Sequence, residues 1–225
     1  MYADGGAEEV VGEAVQGHRD EVFLVSKVLP HNASLRGTVA ACEHSLKRLG
    51  SDHIDLYLLH WPGNHPLEDT LTAFAKLVEQ GKIRYWGVSN FDVGDLEELL
   101  ARRGGAQCAT NQILYNLTRR GIEWDLLPWS RQHRMPQMAY SPVEQGRLLS
   151  NPTLGRVAAR HSATVAQVAL AWVLRSGAIA IPRSRSLEHV RENRASLDIV
   201  LTETDLGDLD RAFPPPRRKH PLEML

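Results

Sequence analysis

Asp55-Leu56-Tyr57-Leu58-Leu59-His60-Trp61-Pro62 is the segment from which the architecture of this chain can be inferred. Its nearly continuous apolar run is typical of a parallel strand that is covered on both faces. Pro62 cannot extend the hydrogen-bond ladder, so the strand is expected to end at His60. Sites in α/β proteins usually lie at this end of the strands. A histidine that is simply hydrogen-bonded into a loop is an equally ordinary alternative.

The sequence on both sides of this strand alternates between short apolar runs and amphipathic helices. Residues 34–49 show the helical pattern, with Ser34 as N-cap and Gly50 as C-terminal stop. Strand and helix units without hairpin turns predict a parallel sheet. Six strands are expected, within residues 22–28, 55–60, 85–90, 108–113, 137–142 and 178–181.

Two parallel architectures compete for this pattern. A doubly wound nucleotide-binding sheet usually has a glycine-rich phosphate loop after its first strand, and the sequence contains no such motif. A (β/α)₈ barrel, the TIM barrel, needs no such loop and explains polar residues at nearly every strand end. We therefore expect one α/β barrel domain over residues 1–225, incomplete at the N-terminus, with about six of eight strands present and two expected before Met1.

The composition favours a small-molecule partner. The 26 basic and 27 acidic side chains are interspersed and give a net charge of −1, so no basic field exists to attract nucleic acid or a membrane surface. Cys42 and Cys108 lack metal-ligand spacing and are interpreted as core residues of a protein from a reducing compartment. No membrane-spanning run or signal peptide is evident. A cytoplasmic monomer without a metal site is expected.

The predicted strand ends bring several polar residues to one edge of the sheet, and Tyr2 lies in the turn before the first helix. A phenol has a pKa of about 10, which a nearby ammonium such as that of Lys27 would lower. An imidazole such as that of His60 could hydrogen-bond a carbonyl oxygen. This set suits carbonyl reduction by a cofactor that supplies hydride. The strand-end residues are Lys27, His60, Ser89, Asn90, Gln112, Tyr140 and Arg183.

These residues lie in motifs that resemble those of the aldo/keto reductase family over essentially the whole chain. Met1-Tyr2-Ala3-Asp4-Gly5-Gly6-Ala7-Glu8-Glu9-Val10-Val11-Gly12-Glu13-Ala14 is similar to the segment that begins with the family's catalytic tyrosine. The other similar segments follow in order: Leu24-Val25-Ser26-Lys27, Tyr57-Leu58-Leu59-His60-Trp61-Pro62, Gly87-Val88-Ser89-Asn90-Phe91, Asn111-Gln112-Ile113-Leu114-Tyr115-Asn116, Ala139-Tyr140-Ser141-Pro142 and Ile181-Pro182-Arg183-Ser184.

The resemblance implies an NADPH-dependent reductase of aldehydes and ketones, closest to the bacterial branch that acts on methylglyoxal. Tyr2 would donate the proton, Lys27 would modulate its pKa, and His60 would orient the substrate carbonyl, with Trp61 beside the substrate. The implied NADPH contacts are Ser89, Asn90 and Gln112 for the carboxamide, Tyr140 for stacking, Ser141, Pro142 and Val143 for the pyrophosphate, Arg183, Ser184 and Arg185 for the 2′-phosphate, and Glu192 and Asn193 for adenine.

The sequence departs from the family's pattern at two places. The catalytic tetrad includes an aspartate shortly before the tyrosine, and no residue here takes its place. His189 stands where many members have arginine, which bears on the preference for NADP over NAD. Two alternatives to an active reductase therefore remain: an NADPH-binding regulatory or scaffold protein with impaired turnover, and a metal-free barrel lyase that binds no nicotinamide.

Overall fold

The computed structural model describes residues 2–225, and Met1, the first residue of the tyrosine motif, lies outside this range. The chain divides into two compact units, Met1–Asn111 and Gln112–Leu225. Within each unit, strands that follow one another in the chain are paired in parallel, as repeated strand and helix units predict. No single helix within residues 2–225 has the length and apolarity to cross a membrane, although one bent pair, Pro152–Arg160 with Val165–Arg175, passes by length and composition.

The first unit contains three parallel strands, each followed by a helix. The register pairs Lys27 of the first strand with Leu58 of the second, and Leu58 with Gly87 of the third. The predicted caps are confirmed: the Ser34 hydroxyl accepts a hydrogen bond from a helix N–H, and Gly50 ends that helix at a φ of 58°. In chain order the elements are α1 Gly6–Ala14, β1 Val25–Val28, α2 Leu35–Leu49, β2 Ile54–Leu59, α3 Leu67–Glu79, β3 Ile83–Ser89 and α4 Val93–Ala101.

The strand β2 is the buried centre of this unit. All six of its residues are buried, which confirms the interpretation of the apolar run as a strand covered on both faces. The Tyr57 ring packs edge-on against Phe74 of α3, with their centroids 6.1 Å apart. Burying these two aromatic side chains contributes several kcal/mol to folding. The position of His60 at the end of β2 is therefore fixed by the packing of the core.

The second unit begins inside the fourth strand, whose first residue, Asn111, ends the first unit. Its fifth and sixth strands are parallel, with Tyr140 aligned to Ile181. Helix capping is again strong, since Thr164 and Gln167 form a reciprocal capping box. The elements are β4 Asn111–Leu114, α5 Leu126–His133, β5 Gln137–Tyr140, α6 Pro152–Arg160, α7 Val165–Arg175, β6 Ile179–Ile181, α8 Leu187–Ala195 and α9 Glu203–Ala212.

One helix starts later than its sequence pattern suggests. The pattern extends over residues 123–133, whereas α5 begins at Leu126 after a short 3₁₀ turn, Gly121–Glu123. This start places Pro128 in the first helical turn, where the missing N–H would have had no partner within the helix. The proline therefore sets the start of the helix and introduces no kink.

Candidate active site

Tyr2, Lys27 and His60 lie together in the first unit. The Lys27 ammonium donates to the Tyr2 hydroxyl at 3.3 Å, and His60 Nε2 lies 3.3 Å from the same hydroxyl. The Tyr2 side chain is 58% exposed, so a small molecule can reach the phenol. Trp61 stands beside the site, with its ring centroid 4.5 Å from that of His60. The predicted convergence of phenol, amine and imidazole is present in this unit.

The pairing of neighbouring strands places Lys27 and His60 side by side. The backbone N–H of His60 donates to the carbonyl of Val28 at 3.0 Å and so continues the ladder between β1 and β2. The side chain of Asn90, which follows β3, donates to the carbonyl of His60 at 3.0 Å. Because these bonds hold both the N–H and the carbonyl of His60, the backbone from which the imidazole projects is fixed at the carboxyl end of the strands.

Tyr2 reaches the other two residues from a tight turn. The 3₁₀ segment Tyr2–Gly5 contains Ala3 and Asp4 in the left-handed region, with φ values of 49° and 50°. Two consecutive non-glycine residues in this region are uncommon and store strain. Contacts elsewhere in the unit must therefore hold the turn.

Burial changes the protonation behaviour of all three groups. Burial lowers the pKa of Lys27 to about 8, and among residues 2–225 this ammonium forms no ion pair with a carboxylate. Burial and the charge of Lys27 lower the pKa of His60 to about 4, so the imidazole is neutral at pH 7. Burial also raises the pKa of Tyr2, against the lowering expected from the nearby ammonium.

Amide and hydroxyl side chains at the next strand ends are buried. Ser89 is fully buried and Asn90 is 8% exposed in the first unit, where the Asn90 amide donates to the Ser89 hydroxyl at 3.1 Å. In the second unit Gln112 is 3% exposed, and its amide lies 3.8 Å from Met138 Sδ. Each unit therefore has amide or hydroxyl groups of the kind that can hydrogen-bond a planar carboxamide.

In the second unit, the segment after Tyr140 has a strained backbone held by a buried network. Ser141, Glu144 and Gln145 all have φ values between 47° and 55°. The Asn116 amide donates to the Ser141 carbonyl at 2.9 Å and to the Glu144 carboxylate at 2.7 Å. Arg119 donates to the same carboxylate at 3.0 Å. Backbone N–H groups in such turns can bind anions, and in this segment Ser141 and Val143 have an N–H to offer a pyrophosphate whereas Pro142 has none.

The segment before α8 presents two guanidinium groups to solvent. Arg183 and Arg185 are exposed, and neither forms an ion pair within residues 2–225. Ser184 stands between them, and its hydroxyl accepts a hydrogen bond from the backbone N–H of Ser186, the N-cap of α8. Two uncommitted arginines beside a helix N-terminus form a suitable site for a phosphate. Glu192 and Asn193 lie within α8 and are partly buried.

Sequence reasoning missed the polar residues that support these groups. Glu8 accepts hydrogen bonds from Ser26 and Arg48, which ties α1 to β1 and α2. Arg119 and Glu144 form the equivalent support in the second unit. Each partner is an ordinary charged residue with no local motif, so only the folded chain shows that the two belong together.

The chain is similar to known proteins along its whole length. The family model described as "Aldo/keto reductase family" matches residues 1–213. Methylglyoxal reductase YeaE of Escherichia coli strain K12 is 53% identical over 231 residues, covering 100% of this chain and 81% of the relative. Glyoxal reductase of Bacillus subtilis strain 168 is 38% identical over 206 residues, covering 90% of this chain and 74% of that protein.

Solved structures give the same relationship. The aldo/keto reductase of Klebsiella pneumoniae, crystallised with NADP and acetate, superposes with a TM-score of 0.98 at 53% identity, covering 100% of this chain and 82% of that chain. A second crystal structure of an aldo-keto reductase from that organism, with NADPH, has the same TM-score and identity. The predicted barrel fold is therefore confirmed for the six strands.

Proposed function

This chain belongs to the aldo/keto reductase family, and on that premise we propose that it reduces small aldehydes and ketones of the methylglyoxal type with NADPH. Membership makes it an NADP-dependent oxidoreductase. One observation carries the proposal: the Tyr2 hydroxyl lies 3.3 Å from both Lys27 Nζ and His60 Nε2. The names of the E. coli and B. subtilis relatives support a small dicarbonyl as substrate.

Tyr2 is proposed to donate the proton that the carbonyl oxygen takes up as the alcohol forms. NADPH, when bound, supplies the hydride to the carbonyl carbon. The Lys27 ammonium stabilises the phenolate that remains after the proton has left, since it lies within hydrogen-bond distance of the hydroxyl. The low pKa of His60 keeps its imidazole neutral at pH 7. A neutral imidazole still has one N–H, which can donate a hydrogen bond to the same carbonyl oxygen and orient it.

The residues at the other strand ends fit NADPH in their chemistry. We assign the nicotinamide carboxamide to the buried side chains of Ser89, Asn90 and Gln112, and ring stacking to Tyr140. The strained segment from Ser141 to Val143 is assigned to the pyrophosphate. Arg183, Ser184 and Arg185 are assigned to the 2′-phosphate, because two exposed guanidinium groups can pair with a phosphate. Glu192 and Asn193 are assigned to adenine. Trp61 is assigned to the substrate.

The proposed reduction is tested by following a deuterium label from NADPH to the alcohol product. The purified chain is incubated with methylglyoxal and NADPH deuterated at C4 of the nicotinamide on the transferred face. Oxidation is followed at 340 nm, and the alcohol is examined by mass spectrometry. The proposal expects NADPH oxidation that depends on the carbonyl compound, with one deuterium in the product. Oxidation without deuterium in the alcohol would refute it.

A second candidate is an NADPH-binding protein with little turnover. It is favoured by one observation: among residues 2–225 the Lys27 ammonium forms no ion pair with a carboxylate, so no residue in this range takes the place of the tetrad aspartate. Quenching of tryptophan fluorescence by NADPH, without turnover of a broad panel of aldehydes, would support this candidate over the reductase. Absence of NADPH binding would refute both.

A further inference from the structure

The turn that carries Tyr2 is held by contacts of the helix that follows it. Gly5 ends this turn and lies against Arg48 of α2, where a Cβ atom would be only 2.6 Å from the Arg48 Cδ atom. Gly12, near the end of α1, lies equally close to the chain at the end of α2, since a Cβ there would be 2.6 Å from the Leu49 carbonyl oxygen. The helix α1 is therefore seated directly on α2.

The partly buried carboxylate of Glu8 adds hydrogen bonds to this contact between α1 and α2. Glu8, on the first turn of α1, accepts hydrogen bonds from Ser26 at 2.6 Å and from Arg48 Nε at 2.6 Å. Its side chain is 17% exposed, and that of Arg48 is 31% exposed. Burial alone would raise the pKa of Glu8, but the hydrogen bonds from Ser26, Ser45 and Arg48 outweigh it and hold the pKa below its usual value. The carboxylate is therefore charged and paired at neutral pH.

The position of Ser26 connects the Glu8 contacts with Lys27 and Tyr2. Ser26 directly precedes Lys27 on β1, and Glu8 lies six residues after Tyr2. The Glu8 carboxylate thus joins the segment that carries the phenol to the strand that carries the ammonium. The turn between Tyr2 and Gly5 is strained, so contacts outside the turn must maintain the 3.3 Å distance between the Tyr2 hydroxyl and Lys27 Nζ.

We propose that Glu8, through Ser26 and Arg48, is a positioning residue that keeps the Tyr2 hydroxyl against Lys27 and His60. This inference rests on the proposed role of Tyr2 as proton donor. Without the carboxylate, the turn relaxes, the phenol moves away from the ammonium, and Lys27 gains water. Binding of NADPH is unaffected, because none of the residues assigned to it contacts Glu8.

The test compares variants of two ion-paired carboxylates of the first unit, the partly buried Glu8 and the buried Asp55. Glu8→Ala removes the junction, and Glu8→Gln keeps an oxygen that can accept from Ser26. Asp55→Asn is the matched control, because Asp55 is paired with Arg19 and Arg84 at the opposite end of β2 from His60. Each of the three variants loses an ion pair that is at least partly buried, so all three are expected to unfold at lower urea concentration than the parent.

The expected kinetic result separates positioning from stability. Glu8→Ala lowers kcat for methylglyoxal at least tenfold with the Kd for NADPH within twofold of the parent, and Glu8→Gln recovers part of the loss. Asp55→Asn leaves kcat within twofold, although its stability falls. An unchanged kcat in Glu8→Ala, or an equal loss of kcat in Asp55→Asn, would overturn the proposal.

A second readout does not depend on turnover. In protein labelled with [¹³C]lysine, the Cε signal of Lys27 reports its protonation as pH is raised. Glu8→Ala is expected to shift the Lys27 midpoint upwards by at least one pH unit, whereas Asp55→Asn leaves it unchanged. The same midpoint in all three proteins would refute the role of Glu8. If the parent chain reduces no carbonyl compound, the proposed function fails, and this titration still decides the role of Glu8.

Discussion

Replacing Lys27 with methionine is expected to stabilise the apo chain at neutral pH. The Lys27 pKa falls from its usual 10.5 to about 8 because the ammonium is buried without a carboxylate partner among residues 2–225. Each pKa unit corresponds to about 1.4 kcal/mol, so the charged amine costs the folded state about 3 kcal/mol at pH 7. Methionine has a similar length and carries no charge, so Lys27→Met removes this cost.

The pH dependence identifies the origin of the gain. A lowered pKa means that the unfolded chain binds more protons than the folded chain between pH 8 and 10.5. The stability of the parent therefore rises relative to Lys27→Met over this range, and the electrostatic part of their difference falls to about 1 kcal/mol by pH 10. Urea unfolding of both proteins at pH 7, 8.5 and 10 measures this change.

Two results would refute this reasoning. The parent could prove more stable than Lys27→Met at pH 7, which would mean that the ammonium has a stabilising partner. The difference could also stay constant from pH 7 to 10, which would mean that Lys27 has an ordinary pKa in the folded chain. Lys82→Met is the control, since Lys82 is paired with Glu43 and its variant should gain no stability at pH 7.

Three further predictions concern protonation, packing and cofactor choice. Because the pKa of His60 lies near 4, the pH profile of kcat/KM should show no ionisation of His60 between pH 5 and 7.5, and its acid limb should appear only towards pH 4. Gly87→Ala should lose about 2 kcal/mol in urea unfolding, since its Cβ would lie 2.6 Å from the Thr110 carbonyl oxygen. In Gly155→Ala, the new Cβ would have no atom within 4 Å, so the free energy of unfolding should rise by about 0.5 kcal/mol in the same assay. Arg183→Ala should raise the Kd for NADPH at least tenfold and leave that for NADH unchanged in fluorescence titrations.

The strand pattern explains how far the sequence could predict this site. Residues 55–62 indicate a buried parallel strand ending at His60, and parallel strands align their carboxyl ends, so Lys27 and His60 could be placed on one edge. Tyr2 lies on a turn with no periodic signal, so the residues alone only suggested that it joins Lys27 and His60, and its role as proton donor was implied by the family resemblance. The structure places its hydroxyl 3.3 Å from both Lys27 Nζ and His60 Nε2.

The supporting contacts could not be predicted because they join distant segments. Glu8 and Arg48 are 40 positions apart, and Asn116 and Glu144 are 28 apart. Such pairs depend on how elements pack, which no local pattern encodes. The direction of the Tyr2 pKa was likewise expected wrongly, because the degree of burial of the phenol follows from tertiary structure alone.

The central claim is that the Tyr2 phenol supplies the proton for carbonyl reduction. The most direct measurement compares kcat and the Kd for NADPH in the parent chain, Tyr2→Phe and the control Tyr85→Phe, which alters an exposed tyrosine of the same unit. We expect Tyr2→Phe to lower kcat at least a hundredfold with an unchanged Kd, because the hydroxyl acts on the transition state. Tyr85→Phe should match the parent. A kcat in Tyr2→Phe within threefold of the parent would contradict the account.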